Sequence, residues 1–160
     1  MARYLLLLCL LFAAPSWAFE AKVVKIMDGD TLGVLKGGRM VKVRLHGIDA
    51  PEKGQPFGAK SKAFLGERAF GKMVEVDEKD TDRYGRVVAV VRLGGEDLNL
   101  DMVRAGLAWH FVRYAPHDDA LQKAEREARE GRWGLWEATD PIPPWEWRKA
   151  KREKKTPAGH

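Results

Sequence analysis

Three short β-rich runs, Ala21 to Met27, Thr31 to Leu35 and Met40 to Leu45, carry most of the apolar positions in this part of the chain, and the third alternates apolar with polar residues from Val41 on. Alternation with a period of two marks strands that have one covered face. Asp28-Gly29-Asp30 and Lys36-Gly37-Gly38 interrupt the runs. Asp and Gly tolerate the positive φ angles that hairpin turns require, so the pattern predicts a three-stranded meander. In the third run Val41, Val43 and Leu45 share one face, while Lys42, Arg44 and His46 share the other. Arg44 is therefore expected to point away from the apolar side.

The next segment, Phe57 to Phe70, sets Phe57, Ala59, Ala63, Phe64 and Ala69 among lysines and glutamates, which predicts a helix ended by Gly71. Met73 to Glu78 and Val87 to Leu93 read as two more strands, joined by Asp82-Arg83-Tyr84-Gly85-Arg86. Asn99 is placed to cap a helix carrying Leu100, Met102 and Val103 and closed by Gly106. Asp118 or Asp119 caps another, whose Leu121, Ala124 and Ala128 form a stripe before Gly131. The order β-β-β-α-β-β-α-α contains no βαβ unit of roughly 30 residues. It predicts a small five-stranded Greek-key barrel with three helices packed outside.

Both ends depart from this pattern. Arg3 precedes an 11-residue apolar run, Tyr4 to Ala14, followed by Pro15-Ser16-Trp17-Ala18. That is the form of a secretory signal peptide cleaved after Ala18. A membrane-spanning helix needs about 20 apolar residues, so no stable membrane anchor is expected. The only cysteine, Cys9, lies in this leader, which leaves a mature chain dependent on a packed core or a bound ion rather than on disulfides. Residues 19–138 make one domain of ordinary size. Beyond Trp136, Pro141, Pro143 and Pro144 precede Trp145, Trp147 and the basic run Arg148 to Lys155. Residues 139–160 are expected to be a Pro/Trp-containing segment and a disordered basic tail. The net charge of +5 falls to +4 without Arg3, an excess that permits a polyanionic partner without requiring one.

Asp28-Gly29-Asp30-Thr31 and Asp49-Ala50-Pro51-Glu52 place four carboxylates at two turns of the meander. Two carboxylates about 5 Å apart repel by roughly 3 kcal/mol at an effective dielectric of about 20, so gathering several calls for a cation or for arginines. Oxygen ligands without thiols or a histidine cluster favour calcium or magnesium. Arg44 and Arg86 supply two guanidinium forks for one anion, and a phosphodiester is such an anion. Its attack by water builds charge on the phosphoryl oxygens, which arginines stabilise, while Glu52 is positioned to take the water's proton.

These residues resemble the staphylococcal nuclease (thermonuclease) family from about Ala21 to Trp136. The resemblance rests on Asp28-Gly29-Asp30-Thr31, Val43-Arg44-Leu45, Ile48-Asp49-Ala50-Pro51-Glu52, Asp82-Arg83-Tyr84-Gly85-Arg86 and Leu107-Ala108, and on the spacing between them. It implies an OB-fold barrel and a calcium-dependent endonuclease that cuts DNA and RNA and leaves 3′-phosphate ends. By position, Asp30 and Asp49 would bind calcium with the main-chain carbonyl of Ala50, with Asp28 nearby. Arg44, Glu52 and Arg86 would be the catalytic set, and Arg83, Tyr84 and Tyr114 would contact substrate. Ala50 stands where the best-known member has threonine. Of that member's two stacking tyrosines only Tyr114 remains, with Val112 at the other position.

Plainer readings stand beside these. Tyr84 and Tyr114 also suit barrel-edge aromatics, and Trp109, Phe111, Trp133 and Trp136 suit the core. The alternative function is an OB-fold module that binds nucleic acid without cutting it, as in relatives that have lost the acidic and arginine residues. All of those residues are present in this chain. The expected partner is flexible or single-stranded nucleic acid, and the expected state is a monomer.

Overall fold

The structure is a computed structural model that describes residues 18–155. The expected leader up to Trp17, with Cys9, and the last five residues of the tail lie outside the described residues.

Three strands, β1 (Ala18–Ile26), β2 (Thr31–Lys36) and β3 (Arg39–Leu45), form the predicted meander. A short strand, β4 (Ile48–Asp49), and a helix, α1 (Gly58–Ala69), follow. Then come β5 (Met73–Thr81), β6 (Val87–Leu93), β7 (Glu96–Asp97) and α2 (Leu98–Arg104). The chain continues through β8 (Trp109–His110), α3 (Asp119–Glu130), a 3-10 turn at Gly134–Glu137 and α4 (Pro144–Lys155).

Strand order β3-β2-β1-β5-β6 is closed by a parallel β3–β6 pairing, giving the five-stranded barrel. Alternation in β3 is realised as expected: Val43 and Leu45 are buried, Lys42 is exposed and Arg44 is half-buried. Inward residues of the strands, such as Val23, Val34, Val76 and Val91, meet Leu65 of α1 and Met102 of α2 in one core. A satellite cluster of Trp109, Ala128, Leu135 and Trp136 lies beneath the C-terminal part of the chain.

Several expectations are corrected. Helix α1 buries Gly58, Ser61, Leu65 and Ala69, while Ala59 and Ala63 of its apolar set face solvent on the opposite side. Trp133 is half exposed rather than core, and Phe111 is only half buried. Residues 144–155 are helical, not a disordered tail. Pro144 opens α4, the helical position where a missing N–H costs nothing, Glu146 lies in its first turn, and lysines stand near its end.

Asn99 does not cap α2. Asp97 does, its carboxylate accepting from the Leu100 N–H at 3.0 Å. Asn99 lies inside the helix, 1% exposed, and ties three backbones together. Its amide donates to the carbonyls of His46 at 2.9 Å and Ala89 at 3.1 Å, and its oxygen accepts from the Val91 N–H at 3.1 Å. This side chain thus fixes the turn after β3 against β6. Asn99→Ala leaves buried backbone groups without these partners and is expected to destabilise the fold by about 3 kcal/mol, at about 1–3 kcal/mol per orphaned group. The urea midpoint, with the unfolding slope checked for constancy, measures this.

Candidate active site

The seam that closes the barrel brings the two arginines to one end. Parallel pairing sets Val43 against Val87 and Arg44 against Val88, so Arg86, the residue just before β6, lies along the same seam as Arg44. On the other side of β3, Arg44 pairs with Thr31, and the Leu45 N–H donates to the Asp30 carbonyl at 2.8 Å. The Asp28-Gly29-Asp30 turn therefore lies next to Arg44. The Asp30 N–H closes that turn on the Asp28 carboxylate at 3.1 Å. A β-carbon on Gly29 would come within 2.6 Å of Ser61 Cβ and 2.8 Å of Ala50 Cβ, so only glycine lets the turn pack this closely against α1 and β4. Pairing of Asp49 with Trp109 across β4 and β8 fixes the second acidic segment.

Arg44 is the hub. Its Nη1 pairs with Asp30 Oδ2, and its Nη2 donates to Asp49 Oδ1 at 2.9 Å. Asp30 and Asp49 are 6% and 1% exposed. Asp30 Oδ2 also accepts from the Ala50 N–H at 2.7 Å, and Oδ1 from the Thr31 hydroxyl at 3.0 Å. Burial pulls the Arg44 guanidinium below its ordinary pKa; the charge of Asp49 opposes this and the charge of Arg86 adds to it. Burial likewise raises the Asp28 carboxyl, against the bond from Thr31 and the charges of Arg44 and Arg86.

Glu52 sits on a loop held locally: its N–H donates to the Gln55 side chain at 3.0 Å, and the Gln55 N–H donates back to its carbonyl at 2.9 Å. Its carboxylate joins the cluster through a residue that sequence reasoning did not single out. Arg148 of α4 donates from Nη1 to Glu52 Oε1 at 2.6 Å and from Nη2 to Asp49 Oδ2 at 2.7 Å. Burial acts to lower the pKa of this guanidinium, but its bonds to Asp49 and Glu52 raise it above the ordinary value.

Arg86 is close enough for its charge to act on Asp28 and Arg44, yet its hydrogen bond goes elsewhere. Its Nε donates to Asp82 Oδ2 at 2.6 Å, while Asp82 Oδ1 accepts from the Tyr84 and Arg86 N–H groups. Asp82, missed in the sequence, therefore orients Arg86. Arg83 and Tyr84 share the same exposed turn, with Arg83 bonding the Tyr84 hydroxyl at 2.7 Å and lying over its ring. Tyr114 is exposed and packs edge-on against Phe111, which stacks on Trp145 of α4 at 5.3 Å. The structure thus gathers Arg44, Asp30, Asp49, Ala50, Asp28 and Glu52, holds Arg86 at the rim, and sets Arg83, Tyr84 and Tyr114 on exposed segments.

The side chains in this cluster that can ligate an ion do so through oxygen, which suits a hard cation such as calcium or magnesium. Among the described residues no three carboxylates or imidazoles converge tightly enough to enclose an ion. Asp28, Asp30, Asp49 and the Ala50 carbonyl are all oxygen donors grouped at this end of the barrel, so the residues fit such an ion in kind.

A profile of the family described as Staphylococcal nuclease homologue matches residues 42–138. The chain belongs to the staphylococcal nuclease family. It is 41% identical to a protein of Shigella flexneri named Micrococcal nuclease, over 89% of this chain and 88% of that one. It is 42% identical to an uncharacterized endonuclease of Haemophilus influenzae, over 92% of this chain and 83% of that one. Identity of 42% to the Staphylococcal-like nuclease CAN1 of Arabidopsis thaliana covers 69% of this chain and 34% of the plant protein.

Arg44 offsets two buried carboxylates, so this family member should suffer badly from its loss. Removing one partner of a buried ion pair costs about 3–5 kcal/mol, and Arg44→Met is expected to fall in that range. Denaturant unfolding in chelator at neutral pH measures it.

Proposed function

We propose that the chain is an exported endonuclease that hydrolyses phosphodiester bonds of DNA and RNA with little sequence preference, uses calcium, and leaves 3′-phosphate ends. The observation that carries this reading is the convergence of Arg44, Asp28, Asp30, Asp49 and Glu52 at one end of the barrel, with Arg86 beside them. Membership of a nuclease family, and relatives named as a micrococcal nuclease and as endonucleases, support the same activity.

In this reading Asp30, Asp49 and the Ala50 carbonyl hold the cation, with Asp28 behind them. When bound, the cation supplies positive charge that polarises the phosphate. Arg44 and Arg86 grip the phosphoryl oxygens, and their bonds strengthen as charge builds there. Glu52 accepts a proton from the attacking water as the new phosphorus–oxygen bond forms. The bond from phosphorus to the 5′ oxygen breaks, and that oxygen takes a proton from solvent as it leaves. Asp82 keeps Arg86 in place through the 2.6 Å bond to its Nε. Exposed Tyr114 offers its ring to an unpaired base, and Arg83 with Tyr84 meets the phosphate and sugar end, which favours single-stranded or flexible substrate. A monomer suffices, since one chain contributes every residue named. Export rests on the leader pattern of residues 1–18.

Incubation with single-stranded DNA and calcium is expected to give cleavage that a chelator stops, with 3′-phosphate ends on the products. Glu52→Gln and Arg86→Ala should each lower the rate by about a hundredfold or more while the circular dichroism stays native, the usual cost of a lost transition-state contact. DNA that is shifted in a gel but never cut would instead identify a binding module.

A further inference from the structure

Helix α4 is seated on the site rather than beside it. Gln55, in the Glu52 loop, donates to the Ile142 carbonyl at 2.7 Å, just ahead of the helix. Trp145 lies flat on Phe111 and edge-on to Trp109, whose backbone pairs with Asp49. These contacts aim Arg148, one turn further on, at Asp49 and Glu52. The guanidinium is two-pronged on Asp49, with Nη2 at 2.7 Å from Oδ2 and Nη1 at 3.2 Å from Oδ1, and Nη1 also reaches Glu52 Oε1 at 2.6 Å.

A carboxylate offers about four lone-pair positions. Asp49 already accepts three N–H bonds, one from Arg44 and two from Arg148. About one position is left, and a cation placed there adds a third positive centre to the same oxygens, so it competes with the guanidinium groups already on them. Arg44 is anchored inside the barrel by Asp30 as well, and its side chain is 14% exposed. Arg148 comes from the last helix, and its side chain is 34% exposed. Arg148 is the one that yields.

We propose that Arg148 competes with the divalent cation for Asp49, so that the C-terminal helix is a latch whose closure and cation binding oppose each other. This rests on the reading above that Asp49 is a cation ligand. The coupling is reciprocal: whatever factor the docked arginine takes from cation affinity, the cation takes from docking of the arginine. With the cation in place, Arg148 lets go of Asp49 and frees Glu52 from its bond.

Calorimetric titration of calcium into the full mature chain, without nucleic acid, tests the latch. Arg148→Ala is expected to tighten the calcium Kd at least tenfold, about 1.4 kcal/mol. Trp145→Ala keeps every charge but removes the stack on Phe111 that seats the helix, and it should tighten binding severalfold even if the first variant folds poorly. Asp49→Asn should abolish binding. If Asp49→Asn abolishes binding while Arg148→Ala binds calcium no more tightly than the native chain, the latch is wrong and the cation assignment stands. Tightening in Arg148→Ala with none in Trp145→Ala would reduce the effect to a lost charge and also overturn the latch. Absence of calcium binding in every protein would overturn the cation assignment and the latch together.

Discussion

Two aspartates, Asp30 and Asp49, are buried at one end of a small barrel, and Arg44 bridges them. The rest of the site depends on that bridge. Burying two like charges side by side is unfavourable without a compensating cation, and a guanidinium with two forks satisfies both at once. The barrel supplies the geometry, because β3 is hydrogen-bonded to β2 on one side and to β6 on the other. Arg44 therefore stands between the Asp28-Gly29-Asp30 turn and the segment that carries Arg86. Asn99 locks the same seam from beneath, joining His46 to β6.

The arrangement also accounts for a site dense in charge within a core that is otherwise aliphatic. Asp28, Asp30 and Asp49 leave the cluster anionic, which draws cations, and Arg44 and Arg86 give it anion-binding forks. A phosphodiester with a hard cation meets both demands. Arg148 adds a third guanidinium to this end of the barrel through its bonds to Asp49 and Glu52.

Much of this was legible in the sequence, for reasons that differ between elements. The meander was readable because Val41, Val43 and Leu45 alternate with Lys42, Arg44 and His46, and because Asp-Gly and Gly-Gly turns admit few conformations. The carboxylate and arginine motifs were readable because no inert turn explains their combination. Asn99 was misread as a cap because the same residue type serves both caps and buried backbone ties, and only tertiary contact distinguishes them. Local sequence does not state that Arg86 is held by Asp82, although Asp82 four residues earlier hints at it. Helix α4 is harder to read because Pro141, Pro143 and Pro144 stiffen the approach to it against helix. Pro144 at a helix start, Glu146 after it and lysines near the end were the signal that a helix was beginning. No periodicity could have placed Arg148 against Asp49, since 99 residues separate them.

Arg44 bridges Asp30 and Asp49 through its two-pronged geometry rather than through its charge alone. Cleavage of single-stranded DNA by Arg44→Lys is the most direct test, since lysine keeps the positive charge but cannot bridge two carboxylates and a phosphate with a planar fork. The account predicts a fall of about a hundredfold or more in the calcium-dependent rate. A lysine variant that cuts at the native rate would contradict it.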